Sequence, residues 1–348
     1  MFSAPQHFIR PDWRRATDLG LDGSLVHHTV FRTKSNKDEL TMPSPENSQL
    51  ELDRILRTAQ LPALPQSAIK LLELSRDPDN GPAEFAAPIE ADPGLAGQIL
   101  KFVNSSYFGF SHEISSVKMA ITLVGIRTIK NFSLWSAVFS LMPNPKCGPF
   151  DLKNLWQDSL RRALFARAMG KLLGLKEAEE AFSAALLQDM AVPLLAKELP
   201  KEYLSLLEAR TDGQARLSDL EKDRFGWNHA EAAAKMARSW KMPEAFAQLV
   251  EHHVVVERAV PGRPADAAQL AVGLSALLPS VSDSRWSECG QFEENYARLS
   301  RGNPSLSEML GRIDREFHDF APVLKLSSPT KSLVAWHDES LAAINGAT

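Results

Sequence analysis

Two cysteines, a few histidines and a spread of acidic residues are the groups in this 348-residue chain that could carry chemistry. Cys147 and Cys289 lie far apart, and neither belongs to a CxxC pair or a Cys/His cluster, so a disulfide framework and a zinc ribbon both lack support. Cys147 falls in the loop-like run Pro145-Lys146-Cys147-Gly148-Pro149, where one lysine is a weak activator and an incidental thiol is expected. The His27-His28 pair has no companion ligand nearby and reads as solvated. The chain has no glycine-rich phosphate loop, no GxGxxG turn after a strand and no GxSxG elbow, which removes the common nucleotide and acyl-transfer templates.

The elements that must position any site are helical. Asp92-Pro93 supplies a cap followed by proline in the first turn, and Leu95, Ile99, Phe102 and Val103 then recur at helical spacing. Asp151 is a candidate cap for a helix through Trp156, Leu160, Ala163, Leu164, Ala168 and Leu172, with Gly174 as its stop. A partner helix is expected over 177–197. Asn228 and Glu231 have capping-box-like spacing ahead of 229–240, and Pro243 opens 243–253. Further helices are expected at 266–278, 290–300 and 305–320, whereas the last 28 residues look weakly structured. Pro88 should kink or shorten a helix over 83–91. No period-two series competes, so the fold class is all-α.

Composition narrows the setting. With 44% hydrophobic and 24% charged residues the chain can bury a sizeable core. Its net charge of −4 argues against a general nucleic-acid surface. No apolar run approaches the roughly 18 residues that span a membrane, and Arg10, Asp12, Arg14 and Arg15 do not read as a signal peptide. A cytoplasmic setting without membrane contact is the expectation.

Four ordered segments then matter together: Leu61-Pro62-Ala63-Leu64-Pro65, Ile89-Glu90-Ala91-Asp92-Pro93-Gly94-Leu95, Phe102-Val103-Asn104-Ser105-Ser106-Tyr107-Phe108-Gly109, and Ala120-Ile121-Thr122-Leu123-Val124-Gly125. With Leu155-Trp156, Ala184 to Asp189, His229 and His252-His253, this set resembles the HDOD domain, a degenerate relative of the HD and HD-GYP metal-dependent phosphohydrolases. The resemblance implies an N-terminal helical lobe packed on an HD-like helical lobe. It divides the chain into an extension at 1–48, the domain at 49–258 with its motif core at 61–257, and a C-terminal helical extension with a flexible tail at 259–348. The motif residues themselves, Leu61, Pro62, Leu64, Pro65, Asp92, Pro93, Asn104, Ser105, Tyr107, Phe108, Gly109 and Gly125, read as structural.

HD hydrolases hold a divalent ion with separated His and Asp residues, including an adjacent His-Asp pair. By the same resemblance this chain has Asp158 at the first ligand position, Gln188-Asp189 where the pair belongs, and Val272 in place of a closing Asp. Asp189, His229, His252 and His253 survive. The resulting expectation is a vestigial cleft of Asp158, Gln188, Asp189, His229, His252 and His253, with no catalytic residue, metal or cofactor assigned. Two readings remain open at this point: a non-catalytic signalling module acting through an unidentified protein partner, and a relic that binds a nucleotide or phosphorylated metabolite. In the second, Asp158 and Asp189 would repel phosphate unless Arg161 or Arg162 compensates. Residual phosphohydrolase activity ranks below both, and the oligomeric state is left open.

Overall fold

Short polar caps and prolines decide where the helices begin. The structure, a computed structural model, describes residues 45–77, 79–176, 178–210, 213–255 and 264–346. In chain order its helices are α1 (Pro45–Thr58), α2 (Gln66–Leu74), α3 (Pro82–Glu90), α4 (Pro93–Val103), α5 (Val117–Val124), α6 (Ile126–Leu141), α7 (Leu152–Leu172), α8 (Ala178–Leu187), α9 (Val192–Glu198), α10 (Pro200–Arg210), α11 (Leu217–Phe225), α12 (His229–Ser239), α13 (Glu244–Glu251), α14 (Pro264–Ser275), α15 (Cys289–Ser300), α16 (Leu306–Phe320) and α17 (Leu333–Gly346). No strand occurs among the described residues. The His27-His28 pair lies outside them.

The expected caps form. The Asp92 carboxylate accepts from the Leu95 amide, Asp151 from Lys153 and Asn154, and Asn228 from Ala230 and Glu231. Glu231 does not complete a capping box: its carboxylate instead takes Lys222 at 2.7 Å and Gln49 at 2.6 Å, tying α1 to α12. Gly174 adopts a positive φ of 78°, which suits the stop after α7. Helix α3 runs through Pro88 to Glu90.

Helices α2 to α6 pack on one another as the N-terminal lobe, and α6 meets α8 of the second lobe. Helix α7 is the axis of that second lobe, with α8, α14 and α16 against it. Its residues from Trp156 to Gly170 are all buried, polar ones included, so the simple amphipathic pattern expected for it does not hold. Leu172 is the exception among the expected apolar positions, at 37% exposure.

Two further expectations are not met. The helix expected over 177–197 is broken into α8 and α9, and the break at 188–191 carries Gln188 and Asp189. The expectation of a flexible tail is overturned: α17 forms, with Leu333, Trp336 and His337 buried. The Asp314 carboxylate helps start it by accepting from the amides of Leu333 and Val334. The last residue of α16, Phe320, reaches the N-terminal lobe, its ring centroid 5.2 Å from Phe102 and 5.0 Å from Tyr107.

The motif residues take structural roles. Asn104 caps α4 and bridges to Ile114 through both its amide groups, and Gly109 turns the chain with φ 62°. Tyr107 and Phe108 pack edge to face at 4.9 Å. The Pro62 carbonyl accepts from the Trp240 indole at 3.0 Å, which fixes the Leu61-Pro65 segment against α12.

Candidate functional site

Three donor groups converge on one point. Asp189 sits in the turn after α8, His229 is the first residue of α12, and His253 follows the end of α13. Asp189 Oδ1 lies 3.2 Å from His229 Nε2 and 3.6 Å from His253 Nε2, and the two imidazole nitrogens are 3.3 Å apart. All three side chains are buried.

The outer partners decide which atoms face inward. His229 Nδ1–H donates to Glu221 Oε2 at 2.6 Å, and the His229 amide donates to the same oxygen at 2.7 Å. Glu221, fully buried on α11, also accepts from the Tyr203 hydroxyl at 2.6 Å. His253 Nδ1–H donates to the Val250 carbonyl at 2.6 Å. Both rings therefore turn Nε2 toward Asp189, the arrangement in which a carboxylate or carbonyl behind a histidine orients a metal ligand.

The charges are uneven. Burial alone would push Asp189 up, but Arg162, hydrogen-bonded to Oδ2, and the two histidines hold its carboxyl well below the usual range. For His229 burial works against protonation, yet Glu221 and Asp189 outweigh it and raise the pKa to about 9. Burial dominates at His253, whose pKa is lowered. One imidazolium, one neutral imidazole and one carboxylate thus share the centre near neutral pH.

These donors fit a divalent ion. Around a tetrahedral ion with Zn–N and Zn–O bonds of about 2.0–2.1 Å, donors lie about 3.3–3.4 Å apart, and the edges here bracket that spacing. Asp189 offers one oxygen, because Arg162 holds the other. Beside it, the fully buried Gln188 amide has no hydrogen-bond partner at either end among the described groups.

The remaining expected residues divide. Asp158 lines the same cleft but is committed elsewhere: it accepts from the Ser280 hydroxyl and from the Val281 amide at 2.8 Å. Burial raises its pKa against the pull of Arg162, Ser280 and Val281. His252 is corrected out of the site. It is half-buried, its ring donates to the Gln248 carbonyl at 2.9 Å, and it does not line the cleft. Val272 is wholly buried on α14, so no carboxylate enters from that position. Arg162 offsets both cleft acids, and Arg161, which donates to the Lys331 carbonyl, adds a smaller pull on Asp158.

Sequence reasoning missed Glu221, Tyr203 and Ser280. Glu221 was findable: with Leu217 and Phe225 it falls on one i, i+4 stripe, and a Glu on an apolar stripe needs a buried partner. Ser280 gave no local signal, since it lies 122 positions from Asp158. The Cys147 loop is present as expected, and its thiol is buried with a pKa raised mainly by that burial.

The wider cleft, a cavity of about 150 Å³, is lined by Arg162, Arg210 and Arg216 together with Asp158, Asp283 and Glu288. The all-helical two-lobed fold carries its Asp/His centre at the junction of α8, α12 and α13. The family model of the HDOD domain matches residues 61–256, and the chain belongs to that family.

The chain is similar to a crystal structure of an HDOD domain protein of unknown function from Geobacter sulfurreducens, at 20% identity and TM-score 0.57, covering 87% of this chain and 97% of that one. It is also similar to a protein from Shewanella amazonensis SB2B with a provisional phosphohydrolase name, at 22% identity and TM-score 0.59, covering 78% and 97%. A third, from Marinobacter aquaeolei VT8 with a provisional signal-transduction name, shares 17% identity and TM-score 0.56 over 88% and 66%. At these identities the likeness is one of fold. A curated relative, an uncharacterized protein of Treponema pallidum (strain Nichols), is 25% identical over 241 residues, 68% of this chain and 46% of that protein. The chain thus spans under half the length of that relative.

Proposed function

We propose that this HDOD protein is a non-catalytic signalling module whose degraded cleft senses a ligand around a single divalent ion. The observation that carries this reading is the Asp189–His229–His253 triangle, kept with both histidines oriented from behind, while Asp158 is spent on Ser280 and Val281. Asp189, His229 and His253 would hold the ion, which supplies a positive centre for an anionic group.

Turnover has no support from the surrounding groups. The Gln188 amide cannot take a proton, Asp158 is held away by two donors, and Arg162 is already paired with Asp189. Relay to a protein partner has a physical route along α7. Asp158 and Arg162 face the cleft, and one position earlier in each case Gln157 and Arg161 hold the carbonyls of Ser327 and Lys331 in the C-terminal segment. No helix among the described residues is long and apolar enough to cross a membrane.

The test is metal content by elemental analysis of the purified full chain, followed by a phosphatase panel with added Mn²⁺, Fe²⁺ or Zn²⁺. The expected result is about one ion per chain, lost in Asp189→Ala, with no turnover. Hydrolysis that disappears in Asp189→Ala with the fold intact would refute the non-catalytic reading.

A further inference from the structure

The loop between α14 and α15 lines one wall of the cleft, and it lies beyond the residues that the family model matches. Trp286 within it is buried and donates to the Leu277 carbonyl at 2.8 Å, and polar links tie the loop to the cleft wall. Asp158 accepts from Ser280 and Val281. Arg210, the last residue of α10, donates to both oxygens of Asp283 at 2.9 and 3.2 Å. Arg216, the residue before α11, places Nε 3.0 Å from Glu288 Oε1.

The chain beneath is shaped for close approach. Gly213 has φ 71°, and a Cβ there would lie 2.7 Å from the Arg285 carbonyl oxygen, so a side chain at this position would lift the loop. Asp283 also accepts from the Ser280 amide at 2.9 Å, which folds the loop on itself.

The two arginines are cleft-lining groups of intermediate exposure, with side chains 21% and 23% exposed. A guanidinium held by both oxygens of a carboxylate uses the same paired N–H geometry with which it takes a phosphate. Asp283 stands on Arg210 in this way as an internal anion, and Glu288 pairs with Arg216 through one oxygen while that guanidinium also donates to the Val254 carbonyl.

We propose that residues 279–288 form a lid, and that a ligand with two closely spaced negative charges, a diphosphate or a phosphate ester, opens it by taking Arg210 and Arg216 from Asp283 and Glu288. The inference rests on the ligand-sensing reading of the cleft and adds the ligand's chemistry and the part that moves. Exchange of one anion for another leaves the pairing of each arginine unchanged. The cost of opening is then set by the Asp158 links to Ser280 and Val281 and by buried Trp286, and the ligand's preference for the open form must exceed it.

The experiment titrates the full chain with inorganic pyrophosphate in metal-free buffer and follows amide hydrogen exchange of 279–288. The double variant Asp283→Asn/Glu288→Gln should bind pyrophosphate at least tenfold more tightly than the unaltered chain. Its lid amides should exchange at least tenfold faster without ligand, and pyrophosphate should produce the same speeding in the unaltered chain. Arg210→Met/Arg216→Met should lose pyrophosphate binding yet keep Zn²⁺ binding at Asp189, His229 and His253. A gain below threefold in the acid variant, no binding by either protein, or slower lid exchange with pyrophosphate would each overturn the lid. Loss of Zn²⁺ binding in the unaltered chain, or release of orthophosphate, would instead count against the proposed function, and the exchange data would still judge the lid.

Discussion

Asp158 on α7 holds Ser280 and Val281, residues 122 and 123 positions further along the chain, at the edge of the cleft. Asp158 is thus an anchor for a loop outside the family's matched region. Burial raises its pKa, and the Ser280 hydroxyl and Val281 amide, both donating to its oxygens, oppose that rise.

Asp158→Ala should leave the Val281 amide without its acceptor and the Ser280 hydroxyl with Ser282 alone. A buried donor left unpaired costs about 1–3 kcal/mol, so urea unfolding should shift to lower midpoints by that amount. Zn²⁺ affinity should change little, because Asp158 is absent from the donor triangle. A large loss of Zn²⁺ binding with unchanged stability would contradict the assignment.

Glu221 is the support behind His229, and Glu221→Gln keeps its shape while removing its charge. Losing a carboxylate behind a metal-bound histidine commonly weakens metal affinity about 10–100-fold. The same fall is expected here by competitive chelator titration. Tyr203→Phe removes the other hydrogen bond to Glu221 and should give a smaller loss, since His229 keeps its acceptor.

Fold and site differ in how far the sequence reveals them. The helical class and the caps at Asp92 and Asp151 follow from local spacing, because a cap and an apolar stripe are decided within a few residues, whereas the two-lobe plan is legible only through resemblance. Asp189, His229 and His253 can be named only through resemblance, and their convergence depends on three separate helix ends. His252 and His253 are adjacent, and sequence alone cannot choose between them. The end of α13 points His253 to the cleft and turns His252 back onto Gln248. The tail reads as weakly structured because α17 has a weak stripe of its own. Its order comes from Asp314 and from burial of Leu333 and Trp336.

The charged centre also sets a pH optimum for the metal-free protein. His229, with a folded pKa of about 9 against 6.5 when unfolded, stabilises fully below 6.5 and loses that contribution as pH rises through 9. The largest size of this term is about 3 kcal/mol. His253 has a depressed pKa and must be charged on unfolding in acid, so stability falls again below 6.5. Asp189, held low, adds a further loss only in stronger acid. Thermal midpoints in chelator should therefore peak near pH 6.5. A rise continuing to pH 9 would show that His229 is not protonated in the fold.

The family match ends at residue 256, but the core does not. Leu270, Ala271, Val272, Leu274 and Leu277 around α14 are buried, and α14 packs on both α7 and α8. On α16, Met309, Leu310, Ile313 and Phe317 are buried, and Phe320 fills the space between Phe102 and Tyr107 of the other lobe. A chain cut after residue 258 would expose one side of α7, the helix that carries Leu160, Leu164 and Phe165, each wholly buried in the intact protein. It should lose near-ultraviolet circular dichroism and cooperative urea unfolding, even though every motif residue is retained. Because a truncation could fail for trivial reasons, Ile313→Ala in the full chain supplies the graded version. Loss of a buried Ile costs about 2–5 kcal/mol where the site cannot collapse, so its unfolding midpoint should fall accordingly while Zn²⁺ binding in native buffer persists. A truncated chain that unfolds cooperatively with the same midpoint would mean that the C-terminal helices are an accessory rather than part of the domain's core.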